Sequence, residues 1–63
     1  MEAPLMLLTT EQVAQMLGVS PKTLRNWRCE CRGPAFVVLN ERQVRYRVED
    51  VTAWVNSRLV PTV

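Results

Sequence analysis

Three residues, Gly18-Val19-Ser20, separate two short segments that each carry the start signals of a helix. Thr9 and Gln12 have the spacing of a capping box, in which each side chain bonds the backbone N–H of the other residue. Ser20 followed by Pro21 is the second start signal, because a proline at the first helical position loses no hydrogen bond. A turn this short that contains glycine is typical of the helix-turn-helix motif.

The first helix is predicted over Thr10 to Leu17, where a glycine in the left-handed conformation would end it. The second helix is predicted from Pro21 to about Cys31, since Gly33-Pro34 cannot continue it. Trp27 on this helix and Trp54 further along fall on apolar stripes. We therefore expect both tryptophans to be core residues and not platforms for stacked bases.

The rest of the chain predicts a β-hairpin and a last helix. The run Ala35–Leu39 is rich in β-branched residues, and Val44–Arg47 alternates between apolar and basic side chains. The four polar residues of 40–43 would form the tip of this two-stranded wing. A last helix is expected over Val48–Arg58. The predicted fold is mainly α with a small hairpin, a winged helix-turn-helix.

A chain of 63 residues allows one domain, predicted over 1–63 with an ordered core at about 8–59. It contains no histidine, which is the commonest general base and the commonest metal ligand. Cys29 and Cys31 without further cysteine or histidine do not make a zinc site, and we expect two reduced thiols. The sequence therefore predicts a protein that is not an enzyme and has no metal, no cofactor and no small-molecule ligand.

The hydropathy of the chain predicts a cytoplasmic location. No apolar run approaches the roughly 18 residues of a membrane span. The segment Met1–Leu8 carries an acidic residue and a proline, a pattern unlike that of a signal peptide. We expect a protein that does not bind a membrane and that stays in the cytoplasm of a bacterial host, associated with the nucleoid.

The charges are unevenly distributed along the chain, although the net charge is only +2. Between Ser20 and Arg47 seven basic residues stand against two acidic ones, a local charge of +5. Outside this segment one arginine stands against four acidic residues, a charge of −3. Such a basic segment in an acidic frame indicates a polyanionic partner, and double-stranded DNA fits the predicted motif.

The second helix would enter the major groove, where arginine reads guanine and asparagine reads adenine. Arg25 and Asn26 are the predicted base contacts, with Arg28 as a third candidate. The residues of this segment predicted to hold phosphates are Lys22, Thr23 and Arg32. The free N–H groups at the helix start, around Ser20 to Lys22, would receive one phosphate as well. On the wing, the residues predicted to reach the minor groove or its backbone are Arg42, Gln43, Arg45 and Arg47.

Several stretches resemble small excisionase-type and MerR-like winged-helix proteins. They are the opening Leu8–Ser20, the segment Thr23–Arg28, Gly33-Pro34, Val44–Arg47 and the closing Glu49–Val55. The resemblance covers nearly the whole chain and is moderately specific for the family. It implies a winged helix-turn-helix of the MerR-like superfamily, which includes excisionases, also called recombination directionality factors, and AlpA-like activators.

For function, the resemblance implies a protein that binds repeated DNA sites in an attachment region, bends the DNA and helps a tyrosine integrase to excise the element. The second helix would occupy the major groove and the wing the minor groove. Independently of the resemblance, the small footprint of one module predicts that copies of the chain associate head-to-tail and cooperatively on the DNA, with the acidic frame of one copy against the basic segment of the next. Glu41 in the wing tip departs from the family pattern, which often has glycine and more arginine there. The long dimerising helix of full MerR regulators is also missing, which favours the excisionase or AlpA-like role.

Two alternatives remain open at the level of sequence. A small transcriptional regulator of the same fold would present the same basic helix and wing. A protein-interaction module would use the basic face on an acidic protein. A gel-shift titration separates the second alternative from both DNA-binding functions.

Overall fold

The computed structural model describes residues 6–62, and most of the segment considered above for a signal peptide lies outside them. The element order confirms the predicted winged helix-turn-helix, with one strand in addition. The elements are β1 (Leu7–Leu8), α1 (Thr10–Leu17), α2 (Pro21–Cys29), β2 (Val37–Asn40), β3 (Gln43–Arg47) and α3 (Val48–Ser57). In this part of the chain no helix has the length and apolar character needed to cross a membrane.

Helix α1 begins and ends where the sequence predicts. Thr9 Oγ1 accepts a hydrogen bond from the Gln12 N–H at 3.1 Å, and Gln12 Oε1 accepts one from the Thr9 N–H at 2.8 Å. At the other end Gly18 has a φ of 73°, and the Val19 N–H donates to the Ala14 carbonyl at 3.0 Å. Local contacts thus satisfy the Gln12 N–H at the start of the helix and the Ala14 carbonyl at its end, two of the groups that every helix leaves unpaired.

Helix α2 ends at Cys29, so the predicted end near Cys31 is wrong by two residues. The Arg32 N–H donates to the Trp27 carbonyl at 2.7 Å, and Cys31 adopts a φ of 57°. This is the Schellman arrangement, in which the residue after the helix takes the left-handed conformation. Glycine is usual at that position, and a cysteine there gives the sequence no signal of where the helix ends.

The hairpin turn is tighter than predicted. Asn40 pairs with Gln43 across the hairpin, so the turn contains only Glu41 and Arg42 and the predicted four-residue tip is wrong. Asn40 Nδ2 donates to Gln43 Oε1 at 2.9 Å, and Asn40 Oδ1 accepts from the Arg42 N–H at 3.1 Å. An asparagine that bonds the backbone two residues further on closes a turn in this way. The register shifts just before Asn40, which leaves Leu39 out of the pairing, and β2 begins two residues later than predicted.

A third strand joins the sheet on the far side of β3. Leu7 pairs with Arg47 and Leu8 with Tyr46, both antiparallel, so the strand order is β1-β3-β2. The predicted wing had two strands. The reason for the difference is that two consecutive leucines are too short a run to show the alternation by which strands are recognised.

The core lies where α1, α2 and α3 meet β3. Its buried apolar residues are Val13, Ala14, Leu24, Tyr46 and Val51. The partly buried residues packed against them are Leu8, Leu17, Val19, Trp27 and Val44. Tyr46 has no exposed surface, because its side chain packs from the central strand β3 into this cluster of helix residues.

The two tryptophans pack on one another at the border of this core. Their ring centroids are 5.3 Å apart with the planes tilted by 42°. Gly33 lies so close to Trp27 that an added Cβ would be 2.9 Å from its Cε3, and its φ of 81° also favours glycine. Trp27 contacts the core as predicted, but both Trp27 and Trp54 keep part of their surface exposed. They form an outer layer on the core.

Helix α3 follows β3 without a loop. Arg47 is its N-cap residue and makes no side-chain hydrogen bond to the first-turn backbone. Glu49 and Asp50 lie in the first turn, where the partial positive charge of the helix end favours acidic side chains. The helix ends at Ser57, one residue before the predicted end at Arg58.

Candidate nucleic-acid interface

The first turn and a half of α2 presents polar side chains to solvent. Lys22, Arg25 and Asn26 are all exposed. Ser20 and Thr23 serve the helix instead: Ser20 Oγ accepts the Thr23 N–H at 3.1 Å, and the two hydroxyls bond each other at 2.9 Å. The three exposed side chains are thus available to a DNA groove, while the two hydroxyls first fix the start of the helix that carries them.

Arg28, predicted as a third base contact, is directed inward and is half-buried. Its Nη1 donates to Thr10 Oγ1 at 3.1 Å and to Tyr46 OH at 2.8 Å. The guanidinium carbon also lies 5.7 Å from the ring centroid of Phe36 and 5.9 Å from that of Tyr46. Arg28 thereby joins α2 to α1 and β3, and it is not free on the outer surface as Arg25 is.

A cleft of about 320 Å³ lies between α2 and the wing. Four arginines line it, Arg25 and Arg28 from α2 and Arg42 and Arg45 from the wing. The rest of the lining is Val44 and the residues around the start of α1, namely Thr9, Thr10 and Glu11. The exposed side chains of Arg25, Arg42 and Glu11 among these residues leave the cleft open to solvent. The fold therefore gathers basic side chains from two separate elements around one concave surface.

The start of α1 was missed as part of this site by sequence reasoning. Thr10 is buried, and its hydroxyl accepts from Arg28. A capping box shows where a helix begins but gives no information about which neighbour lies beside that end. The proximity of α1 to the wing depends on the packing of α1 against β3, which no local pattern encodes.

The wing tip carries two exposed polar residues, Arg42 and Gln43, next to the exposed Glu41. Gln43 accepts a hydrogen bond from Asn40 and thereby stabilises the turn. Arg45 is half-buried, and its Nη1 donates to the Val44 carbonyl at 2.9 Å. The cleft thus brings Arg42 and Arg45 together with α2, as the predicted interface requires.

Two arginines of the predicted site lie outside the cleft and are paired with carboxylates. Arg47 donates to both oxygens of Asp50, at 2.5 and 2.9 Å. This hydrogen bond lowers the pKa of Asp50, against the opposing effect of partial burial, and raises the pKa of Arg47. Arg32 lies beyond the end of α2 and bonds Glu30 at 3.3 Å. A phosphate would compete with an existing partner at both arginines.

The four cleft arginines, by contrast, lack a carboxylate partner. Within residues 6–62 the two pairs just described are the only ion pairs closer than 4 Å. In these residues the charge of the cleft arginines is therefore not neutralised by close ion pairs, and the Glu11 carboxylate in the lining offsets part of it at longer range. Such a surface attracts anions and strengthens their encounter with the protein.

The cysteines do not add a metal site to this surface. Cys29 and Cys31 are free and exposed. In the described part of the chain no group of three or more cysteine, histidine or acidic residues is placed to hold a metal ion.

A short turn between two capped helices, with an exposed basic second helix beside an arginine-bearing wing, defines a DNA-binding helix-turn-helix domain. A protein-family model described as a helix-turn-helix domain matches residues 7–59, and the chain belongs to that family. Membership of this family supports the conclusion that the chain binds DNA sequence-specifically. Neither the curated proteins nor the solved structures gave a match to the chain.

Proposed function

We propose that this helix-turn-helix domain is an excisionase, a recombination directionality factor. It would bind repeated sites in the attachment region of a phage or integrative element, bend the DNA and promote excision by a tyrosine integrase. The observation that carries the DNA contact is the shared cleft, because it brings the basic helix and the wing to one side of the molecule. The excision role rests on the resemblance of the sequence to excisionases.

In the proposed complex, α2 lies in the major groove. Arg25 and Asn26 read base edges, since both side chains are exposed and carry the donors and acceptors that guanine and adenine match. Lys22 contacts phosphate and sets the register. Thr23 and Arg32 are weaker contributors, because the Thr23 hydroxyl is bonded to the hydroxyl of the N-cap residue Ser20 and Arg32 is paired with Glu30.

The wing makes the second contact of the proposed complex. Arg42 and Gln43 at its tip reach the adjacent minor groove, where arginine responds to groove width more than to sequence. Glu41 stands beside them and limits how deep the tip can insert, because a carboxylate is repelled by phosphate. Arg45 holds the backbone between the two grooves.

One copy of this domain makes a small contact with DNA. A single module of this kind buries roughly 600–1,000 Å² of protein surface, less than most specific protein–DNA interfaces. Affinity at physiological salt therefore depends on several copies on repeated sites. We propose head-to-tail cooperative binding, in which the acidic part of one copy faces the basic segment of the next.

The test begins with labelled duplexes from the attachment region of the element that carries the gene. Fluorescence anisotropy should show tighter binding to these than to a shuffled duplex, with a steep salt dependence. A plasmid bearing the attachment sites is then incubated with the integrase, with and without the protein. Excision product should increase when the protein is added, and Arg25→Ala should remove most of the increase.

Arg58→Ala is the matched control for Arg25→Ala, because Arg58 packs on Trp54 and does not line the cleft. If the protein binds the duplexes and changes the output of a promoter reporter but has no effect on excision, its function is transcriptional regulation and not excision. Absence of binding to every duplex at low salt would leave the basic face as a contact for an acidic protein and would overturn the proposal.

A further inference from the structure

We infer that the cleft between α2 and the wing is a site for a phosphodiester anion, which holds one backbone phosphate of DNA between the two groove contacts. The inference rests on the proposed DNA-binding function and adds a specific ligand group to it. Arg25, Arg28, Arg42 and Arg45 supply the charge, and the first turn of α1 forms the opposite wall.

The first argument is charge. Arg32 and Arg47, which lie outside the cleft, each bond a carboxylate, whereas none of the cleft arginines has such a partner in the described part of the chain. Four guanidinium groups line one concavity and attract an anion, most strongly the half-buried Arg28 and Arg45, because water and salt screen the exposed Arg25 and Arg42 more. Phosphate oxygens match the fork of arginine donors and accept two hydrogen bonds from one guanidinium.

The second argument is the way in which Arg28 is fixed. Both N–H groups of its Nη1 are used, one by the Thr10 hydroxyl and one by the Tyr46 hydroxyl. The donors on Nε and Nη2 have no hydrogen-bond partner within residues 6–62. Arg28 is thus a half-buried cation whose protein partners are neutral, with donors left over, on the lining of the cleft. The arrangement orients the guanidinium before the ligand arrives, which reduces the entropic cost of binding.

The third argument is the start of α1. The N–H groups of its first two residues, Thr10 and Glu11, have no carbonyl acceptor within the helix, as at any helix start. They add partial positive charge to the same wall. The Glu11 carboxylate opposes an anion, but its side chain is exposed, so that water and salt screen its charge.

The position of the cleft identifies the phosphodiester as part of DNA. On one side is α2, which enters the major groove, and on the other is the wing, which reaches the next minor groove. The strand that separates these grooves passes between the two elements, where the cleft lies. A phosphate held there sets the position of both contacts without itself reading sequence.

The experiment measures duplex binding against salt for three single variants, Arg45→Gln, Arg28→Gln and Arg58→Gln. Each removes one positive charge, so they differ in position alone. We expect the two cleft variants to weaken binding roughly tenfold or more on every duplex sequence, as for removal of a charged hydrogen bond. Their plots of log K against log salt should be shallower by about 0.9 for each phosphate that the variant no longer neutralises. Arg58→Gln should change neither quantity measurably.

Arg28→Gln also removes hydrogen bonds within the fold, so Arg45→Gln decides the outcome if that variant unfolds. The second measurement uses dimethyl phosphate without DNA, followed by the NMR signals of the arginine Nε–H groups. The cleft arginines should shift together in the wild type, and Arg58 should not. A glutamate-rich peptide at the same total concentration of negative charge should produce no such shift, which separates a phosphate site from a site for acidic protein.

The phosphate site is overturned if Arg45→Gln keeps the wild-type salt slope, or if the peptide perturbs the cleft arginines as strongly as dimethyl phosphate does. Either result leaves DNA binding by the wild type intact. Duplex binding with the predicted change of slope but without stimulation of excision would instead overturn the excisionase proposal and keep the phosphate site.

Discussion

The arginines inside and outside the cleft are held in different ways. Outside the cleft Arg47 donates two hydrogen bonds to Asp50 and Arg32 one to Glu30, while Arg58 packs on a tryptophan ring. On the cleft side, Arg25 and Arg42 are exposed and without a carboxylate partner in the described residues. The chain has a net charge of only +2, yet the charge available to a partner is concentrated in one place.

This difference shows that the count of basic residues is a poor guide to a binding surface. Seven basic residues lie between Ser20 and Arg47, and two of them are already engaged by acids. Charges that are paired in the folded protein offer less to an incoming phosphate, because binding must first break the existing pair. The interface is therefore defined by which arginines the fold leaves unpaired.

The largest predicted effect is a loss of stability on replacing Tyr46, the core residue that supports Arg28 in the cleft. Tyr46 has no exposed surface, and its hydroxyl is an acceptor for Arg28 at the cleft. Tyr46→Ala should lower the free energy of unfolding by roughly 3–5 kcal/mol, which a domain this small will barely survive. Urea denaturation followed by circular dichroism measures the decrease.

Tyr46→Phe keeps the ring and removes only the hydroxyl, so it serves as the control for packing. We expect a decrease of roughly 1.5–3 kcal/mol, the range for a hydrogen bond to a charged group. Equal decreases for the alanine and phenylalanine variants would contradict the packing role of the ring.

The second-largest predicted effect is on DNA affinity, and it distinguishes a base contact from a phosphate contact at Arg25, one of the arginines without a carboxylate partner. Arg25→Ala should lower specific affinity by roughly 1–3 kcal/mol and relax the preference at one base position, because in the proposed complex its exposed side chain reads a guanine. Competition among duplexes that differ at single positions measures this. If the preference profile is unchanged and affinity falls equally on all duplexes, Arg25 is a phosphate ligand.

The local sequence predicted the helix-turn-helix well and its surroundings less well. The bounds of α1 follow from Thr9, Gln12 and Gly18, because the capping box and the left-handed glycine act within one turn of the chain. The end of α2 was misplaced since Cys31 occupies the position where glycine is usual. Both the pairing of Leu7–Leu8 with β3 and the cleft depend on contacts between distant segments, which periodicity and capping do not encode.

A substitution in the wing should change the salt dependence of DNA binding more than its sequence specificity. Arg42→Gln removes an unpaired charge at the tip, so binding should weaken on all sequences and the salt slope should decrease by about 0.9 if the tip neutralises one phosphate. Anisotropy titrations at several salt concentrations measure the slope. An unchanged slope would mean that the wing tip does not touch DNA, and Glu41→Gln would then be expected to have no effect on affinity either.

The smallest effect comes from converting a paired arginine into an unpaired one. The pKa of Asp50 lies below its ordinary value of 3.8 in the folded protein, because Arg47 donates a hydrogen bond to the carboxylate. Ionised Asp50 therefore stabilises the fold at pH values above its unfolded-state pKa, and this stabilisation is lost as the pH falls through the lower folded-state pKa.

Asp50→Asn should remove this dependence and flatten the acid limb of a stability profile between about pH 5 and pH 2. It should also free Arg47 for phosphate and raise affinity for any duplex slightly at low salt, since an exposed pair contributes little on its own. Thermal unfolding across this pH range and anisotropy at low salt measure the two effects, and Glu49→Gln removes an acid of the same helix turn as the control. A rise in affinity for both variants alike would reflect net charge alone, whereas a rise confined to Asp50→Asn would show that pairing governs which arginines reach DNA.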